Sequence, residues 1–224
     1  MIRIFDIFFS FIAIAILSPL LIIVITILRL SGEGEIFYKQ KRVGFNGVNF
    51  NLLKFCTMLK NSENMGTGTL TIKNDPRVLP FGFFLRKTKI NELPQLFNIL
   101  IGNMSVIGPR PQTEESFSYF PETFKKDLKK MKPGLSGIGS IIFSNEEEIL
   151  DGANDPINFY KKSIAPYKAE LEIWYLGKKN RITTYFFLIL FTVLAITGFN
   201  KKYLFSIYND LPKIPEELFK FIIK

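Results

Sequence analysis

The sequence predicts a mainly helical α+β fold with a membrane attachment, on three observations. Residues 7–28 form a 22-residue apolar stretch without a charge. Several later segments carry apolar residues at helical spacing, and two short alternating runs flank the turn Gly44-Phe45-Asn46-Gly47, making a small β element. At 224 residues the chain suits one globular domain with attachments. The expected division is a membrane helix over 1–31, a folded domain over 32–184, and an apolar interfacial helix with an amphipathic tail over 185–224. The net charge of +9 suits anionic lipid headgroups or phosphorylated ligands, and composition alone leaves nucleic acid open. Histidine is absent, which excludes His-based acid–base and metal chemistry and leaves carboxylates, Lys, Tyr and Arg. Cys56 is the only cysteine, so no internal disulfide can form.

The apolar stretch is long enough to cross a bilayer, which needs roughly 20 residues. Ser18-Pro19 lies at its middle, where proline removes one helical hydrogen bond. Arg3 precedes it, and Arg29, Lys39, Lys41 and Arg42 follow. With cations on both flanks the positive-inside rule does not choose between a kinked spanning helix and a re-entrant hairpin. Next come the β runs at 36–38 and 48–52, with Lys54 just beyond. Residues 61–73, rich in Gly and Thr, read as a loop. Asn74-Asp75-Pro76-Arg77 reads as a turn whose Asp75 pairs with an Arg or touches a metal.

Ile90, Leu93, Phe97, Leu100 and Ile101 predict a helix starting near 88–91 with Pro94 in its first turn. Asn91 then caps it. Arg86, Lys87, Lys89 and the helix start make an anion site, and Glu92 beside them can hold a divalent cation. The turn Gly108-Pro109-Arg110-Pro111 presents one guanidinium at low entropic cost, suited to phosphate oxygens. Residues 117–131 read as one helix, 132–140 as a Gly-rich loop, and Glu146-Glu147-Glu148 as a solvated helix start or a further acidic group. Residues 164–174 read as a helix. The apolar run 185–199 is short for a span and suits an interfacial or a buried helix; an interfacial one could serve a dimer as easily as a membrane. Residues 211–224 read as an amphipathic tail on the membrane.

These segments, in order, resemble the bacterial sugar transferases known as monotopic phosphoglycosyl transferases. The resemblance covers roughly residues 1–195. It rests on Ser18-Pro19, Tyr38-Lys39-Gln40-Lys41-Arg42-Val43-Gly44, Lys54-Phe55-Cys56-Thr57-Met58, Asn74-Asp75-Pro76-Arg77-Val78, Leu85-Arg86-Lys87-Thr88, Glu92-Leu93-Pro94-Gln95-Leu96, Met104-Ser105-Val106-Ile107-Gly108-Pro109-Arg110-Pro111 and Lys132-Pro133-Gly134-Leu135-Ser136-Gly137. It implies an N-terminal re-entrant helix hairpin broken at Ser18-Pro19, with the catalytic domain on the cytoplasmic face of the bacterial inner membrane. It implies transfer of a sugar 1-phosphate from a UDP-sugar to undecaprenyl phosphate, with Mg²⁺ and release of UMP. The product would start an O-antigen, capsule or other cell-surface glycan. Expected partners are the UDP-sugar, the lipid phosphate and membrane lipids, with a homodimer compatible and nucleic acid not among them.

In the family an Asp-Glu pair does the chemistry, the Asp attacking the sugar-linked phosphate and the Glu helping to bind metal. Here the pair is Asn91-Glu92, and Cys56 stands where the family has an Arg. An amide is neutral and a poor nucleophile. Three accounts follow. Glu92 is the nucleophile, with metal moved to Asp75, Glu146, Glu147 or Glu148; or Glu92 and Mg²⁺ align the lipid phosphate for direct attack; or the chain is catalytically silent and binds substrate or a glycan-assembly partner. In the first two, Lys54, Arg86, Lys87 and Arg110 hold phosphates.

Overall fold

A computed structural model describes residues 1–65, 75–178, 182–196 and 201–223. Most of the loop expected over 61–73, together with Asn74, Lys179 and Arg181, lies outside these residues. In chain order the elements are α1 (Ile2–Leu30), β1 (Phe37–Val43), β2 (Asn49–Phe55), α2 (Pro80–Lys87), α3 (Gln95–Ile101), β3 (Ser105–Ile107), α4 (Glu114–Ser118), α5 (Glu122–Leu128), β4 (Gly134–Ser136), α6 (Ile138–Ile142), α7 (Glu146–Asp151), α8 (Pro156–Phe159), α9 (Ala165–Lys178), α10 (Ile182–Ile196), α11 (Lys202–Ile207) and α12 (Glu216–Ile222). The expectation of a mainly helical α+β chain with a small β element and an N-terminal apolar helix holds. β1 and β2 pair as a hairpin whose turn puts Asn46 (φ 55°) and Gly47 (φ 75°) in the left-handed region, which Asn and Gly adopt most readily.

α1 runs uninterrupted through Pro19, where a break was expected. The missing proline N–H would have bonded the carbonyl four residues back, that of Ala15. The Ser18 hydroxyl donates to that same carbonyl at 2.8 Å. The Ser-Pro pair therefore leaves no stranded acceptor in apolar surroundings, and the helix continues.

Contacts divide the chain into two units. The N-terminal unit comprises residues 7–41 and 51–101. Leu21, Val24 and Leu28 share one face of α1 and are buried with Phe55 of β2 and Leu85 of α2. Asn98 on α3 ties to β2 twice, accepting from the Leu53 N–H (2.9 Å) and donating to the Asn51 carbonyl (2.8 Å). α2 approaches the segment after β2 so closely that a Cβ on Gly82 would lie 2.2 Å from the Thr57 carbonyl oxygen.

The C-terminal unit comprises residues 1–6, 42–50 and 102–224. β3 and β4 pair in parallel, Ser105 opposite Gly134 and Ile107 opposite Ser136. Three residues each, they were too short to show in the pattern. Where one helix was expected over 117–131 there are two, because Pro121 cannot continue α4 and instead caps α5. α9 forms as expected, with Pro166 in its first turn after one π-helical turn over Tyr160–Ile164. α10 buries Tyr185, Leu188 and Phe191 and exposes Phe187, Leu190 and Val193, so it is apolar on both sides. The C-terminal tail packs on protein within this unit. Leu218 and Ile222 of α12 are buried, and the Pro212 carbonyl accepts from the Tyr167 hydroxyl at 3.0 Å. Its amphipathic pattern is thus satisfied by the domain.

The start of α1 belongs to this unit. Asp6, 2% exposed, accepts on one oxygen from the Ser105 hydroxyl (2.9 Å), the Val106 N–H (2.8 Å) and the Tyr185 hydroxyl (2.9 Å).

Candidate active site

In the N-terminal unit, the predicted site residues ride on α2, β2 and the short turn after α2. Pro80 starts α2 in the first-turn position, where its missing N–H has no cost. Arg86 and Lys87 then fall in the last turn, and Lys89 (φ 58°) ends the run. This corrects the expected anion site at a helix start: both cations sit at a helix C-terminus, where they offset the helix dipole. Arg86 is half-buried and Lys87 exposed. Lys54 is half-buried on β2, one residue from the core residue Phe55.

Asn91 and Glu92 lie in a 3-10 turn over Ile90–Glu92 that contacts α2. α3 begins only at Gln95, after Pro94, so Asn91 does not cap it. Asn91 is 7% exposed and its Oδ1 has no hydrogen-bond partner. Four residues on, the Nε2 of buried Gln95 also lacks one. An unpaired buried polar atom costs roughly 1–3 kcal/mol, so a native fold keeps one mostly where a ligand or water satisfies it. Glu92 is half-buried beside Asn91. Among the described residues no cluster of three metal-ligating side chains occurs. The donor set here is one carboxylate and one amide oxygen. That fits a magnesium ion, which commonly takes one or two protein oxygens and completes its shell with water and substrate phosphate.

Asp75 is 1% exposed and gives both oxygens to Arg77, at 2.9 Å to Nε and 2.6 Å to Nη2. Arg77 also donates to the carbonyls of Ser62 and Met65, both at 2.8 Å. Of the two readings of Asp75, partner to an arginine is the arrangement observed, and it clamps the loop base. Cys56 donates its thiol to the Met58 carbonyl at 3.3 Å, and burial pushes its pKa up. It supplies neither the cation nor the reach of an arginine.

In the C-terminal unit the Gly108–Pro111 turn is bonded on both sides. Gly108 N–H donates to the Ser136 carbonyl and Gly134 N–H to the Pro109 carbonyl, each at 2.8 Å. Arg42 donates to the Pro111 carbonyl at 3.2 Å. Arg110 is exposed at the apex. The turn borders a cavity of about 40 Å³, lined also by Phe117, Ser140, Lys168 and Glu172. Such a space holds a few water-sized groups.

Two polar atoms of that lining, Glu172 Oε2 and Ser140 Oγ, are buried without partners. Burial pushes the Glu172 carboxyl up to about 7, against the smaller opposing pull of the Gly139 N–H and Lys168. Lys168 is buried and ion-paired with Glu146. Burial, the largest single influence, would lower its pKa, but Glu146 and Tyr160 together outweigh it and hold the amine above the usual lysine range. Glu146 is thereby engaged; Glu148 is exposed, and the Glu147 side chain lies outside those described. Gln95, Ser140, Lys168 and Glu172 were not singled out from sequence. The available signal was polar residues at i and i+4 on the otherwise apolar stripe of α9, namely Lys168 and Glu172 beside Ala165, Leu171 and Tyr175.

The chain is 35% identical over 158 residues to the exopolysaccharide production protein ExoY of Sinorhizobium fredii, covering 64% of this chain and 70% of that protein. It is 40% identical over 126 residues to a putative undecaprenyl-phosphate N-acetylgalactosaminyl 1-phosphate transferase of Bacillus subtilis, covering 56% and 68%. It is 34% identical over 123 residues to a UDP-glucose:undecaprenyl-phosphate glucose-1-phosphate transferase of Xanthomonas campestris, covering 54% of this chain and a quarter (25%) of that protein. The family model described as bacterial sugar transferase matches residues 1–198, and the chain belongs to that family.

Proposed function

We propose that this chain transfers a sugar 1-phosphate from a UDP-sugar to undecaprenyl phosphate, releasing UMP and starting a cell-surface glycan. The observation that carries this is Arg110, held at the rim of a cavity by a turn with backbone hydrogen bonds on both sides. A guanidinium fixed in this way is suited to diphosphate oxygens. Family membership and the relatives' named activities support the same chemistry. Arg86, Lys87 and Lys54 add positive charge for the lipid phosphate. In the reaction an oxygen of the acceptor phosphate forms a bond to the sugar-linked phosphorus. The bond from that phosphorus to the bridging oxygen breaks, and UMP leaves with the oxygen.

Asn91 has no carboxylate to form an intermediate, so in this direct transfer Glu92 orients the acceptor phosphate. Glu92 and the Asn91 carbonyl oxygen would hold Mg²⁺, which when bound neutralises charge on the diphosphate. The second reading, a silent relative that binds substrate or a glycan-assembly partner, draws on the neutral Asn91 amide. UMP release with UDP-sugars, undecaprenyl phosphate and Mg²⁺ separates them. Activity in the wild type that is lost in Glu92→Gln and lowered but still measurable in Arg110→Ala supports the enzyme. Silence in the wild type with activity in Asn91→Asp supports the silent relative.

We propose that α1 also attaches the chain to the membrane. α1, at about 1.5 Å per residue, is roughly 43 Å long and could cross a bilayer. Its two ends are each engaged by folded chain: Asp6 by Ser105, Val106 and Tyr185, and Leu21, Val24 and Leu28 by Phe55 and Leu85. The family resemblance carries the re-entrant path proposed for residues 1–31, with the catalytic domain over 32–184 on the cytoplasmic face of the inner membrane; α1 itself runs unbroken through Pro19. The exposed apolar face of α10, in the 185–224 segment, suits the lipid interface. Single cysteines at residues 2 and 34 in a Cys56→Ser background test this. Labelling of both from the cytoplasm only is expected, and periplasmic labelling of residue 2 would refute it.

A further inference from the structure

We infer that Glu172 is a positioning residue for Arg110, acting through the glycine-rich backbone that carries the Pro-Arg-Pro turn. The inference rests on Arg110 binding the donor phosphates.

The connection can be followed atom by atom. Gly108, Gly134 and Gly137 interlock with no room for side chains. A Cβ on Gly108 would lie 2.4 Å from the Lys132 carbonyl oxygen, one on Gly134 2.2 Å from the Gly108 nitrogen, and one on Gly137 2.2 Å from the Gly108 oxygen. Position is therefore passed directly from residues 134–137 to Gly108, two residues before Arg110. The space beside Gly137 and Gly139 is taken by Glu172, with the Lys168 Cγ next nearest to Gly139. The Glu172 Oε1 accepts the Gly139 N–H at 3.1 Å, and Cβ atoms on Gly139 and Gly137 would come within 2.9 and 3.3 Å of that oxygen.

Glu172 is itself fixed. It is 4% exposed on α9, one turn from Lys168, whose ion pair with Glu146 fastens the helix to α7. A carboxyl serving only as packing would have both oxygens satisfied. Here Oε2 stays unpaired at the cavity that Pro109, Arg110 and Pro111 also line, as does the Ser140 hydroxyl. The brace thus ends at the site, and its loss moves the turn that aims the guanidinium. A small misplacement of an orienting group is enough to weaken substrate engagement.

The test compares Glu172→Gln, Glu172→Leu and Gly139→Ala with the wild type, each also in an Arg110→Ala background. Gly139→Ala keeps the carboxyl but displaces it, so the question survives if the Leu variant does not fold. Two readouts are taken: KM for the UDP-sugar against kcat in UMP release, and hydrogen exchange at the Gly108 and Gly134 amides. Expected is a donor KM raised roughly 10-fold in Glu172→Leu and Gly139→Ala with a smaller change in kcat, as for one lost hydrogen bond to a charged group. Glu172→Gln, which keeps an acceptor at Oε1, should stay within about 3-fold. The penalties should vanish when Arg110 is already Ala, because coupled residues are not additive, and both amides should exchange faster. Unchanged KM and exchange, or penalties that persist in full without Arg110, overturn the inference. A wild type that releases no UMP sinks the transferase reading instead, and amide exchange then decides the brace by itself.

Discussion

Asp6 gives the sharpest stability prediction. One buried carboxylate oxygen at the start of α1 takes three donors, from Ser105, Val106 and Tyr185, at 2.8 to 2.9 Å. Asp6→Ala removes this acceptor from all three, of which the Ser105 and Tyr185 hydroxyls are buried. Removing one partner from a buried charged network costs roughly 3–5 kcal/mol. For a chain of this size that is about 6–20 °C in Tm. Asp6→Asn can keep an acceptor oxygen in the same place, but it loses the charge and turns the other oxygen into an NH2 donor. Charge-assisted bonds are roughly twice as strong as neutral ones, so Asn should cost about half as much as Ala. The assay is thermal unfolding of the full chain in detergent, with the three proteins at one pH and ionic strength. Ala near wild type would refute the network, and Asn as damaging as Ala would show that charge, not the acceptor, matters.

Three further predictions concern other parts of the fold. The Glu172 carboxyl titrates near 4.5 when unfolded and at about 7 when folded, so its contribution is full below about 4.5 and is lost as pH rises through 7. At 1.36 kcal/mol per pH unit that is roughly 3 kcal/mol, which should appear as a Tm falling between pH 4.5 and 7 that Glu172→Gln flattens; parallel profiles would refute it. Asn91→Asp puts a charge where an amide oxygen already lacks a partner, so its Tm in EDTA should drop and Mg²⁺ should restore it, whereas a Tm indifferent to Mg²⁺ would argue against a metal at this turn. Gly82→Ala places a Cβ 2.2 Å from the Thr57 carbonyl oxygen, and since backbone must shift it should cost roughly 1–3 kcal/mol in chemical denaturation; a neutral result would mean α2 can move away freely.

Legibility followed the range of the interactions involved. The apolar stretch, the β hairpin with its Asn46-Gly47 turn, the rigid Pro-Arg-Pro turn and the helix at 165–178 were readable because periodicity, turn chemistry and proline are local signals. Boundaries failed where a single backbone event intervened. Lys89 turned left-handed and separated Arg86 and Lys87 from the next helix, and Pro121 split one expected helix into two. The Ser18 hydroxyl carried α1 across its proline.

By itself the sequence determined the chemistry available: cations and carboxylates without histidine, an apolar segment of bilayer length, and an ordered set of motifs that names a family. Only the tertiary structure decided how those groups are used. It committed Asp75 to Arg77 and Glu146 to Lys168, left the Asn91 oxygen unpaired, and drew Glu172 from mid-helix to the glycines behind Arg110. The reason is physical: local patterns fix what a residue can offer, but partners for buried polar atoms come from residues distant in the chain, and burial sets the cost of leaving an atom without one.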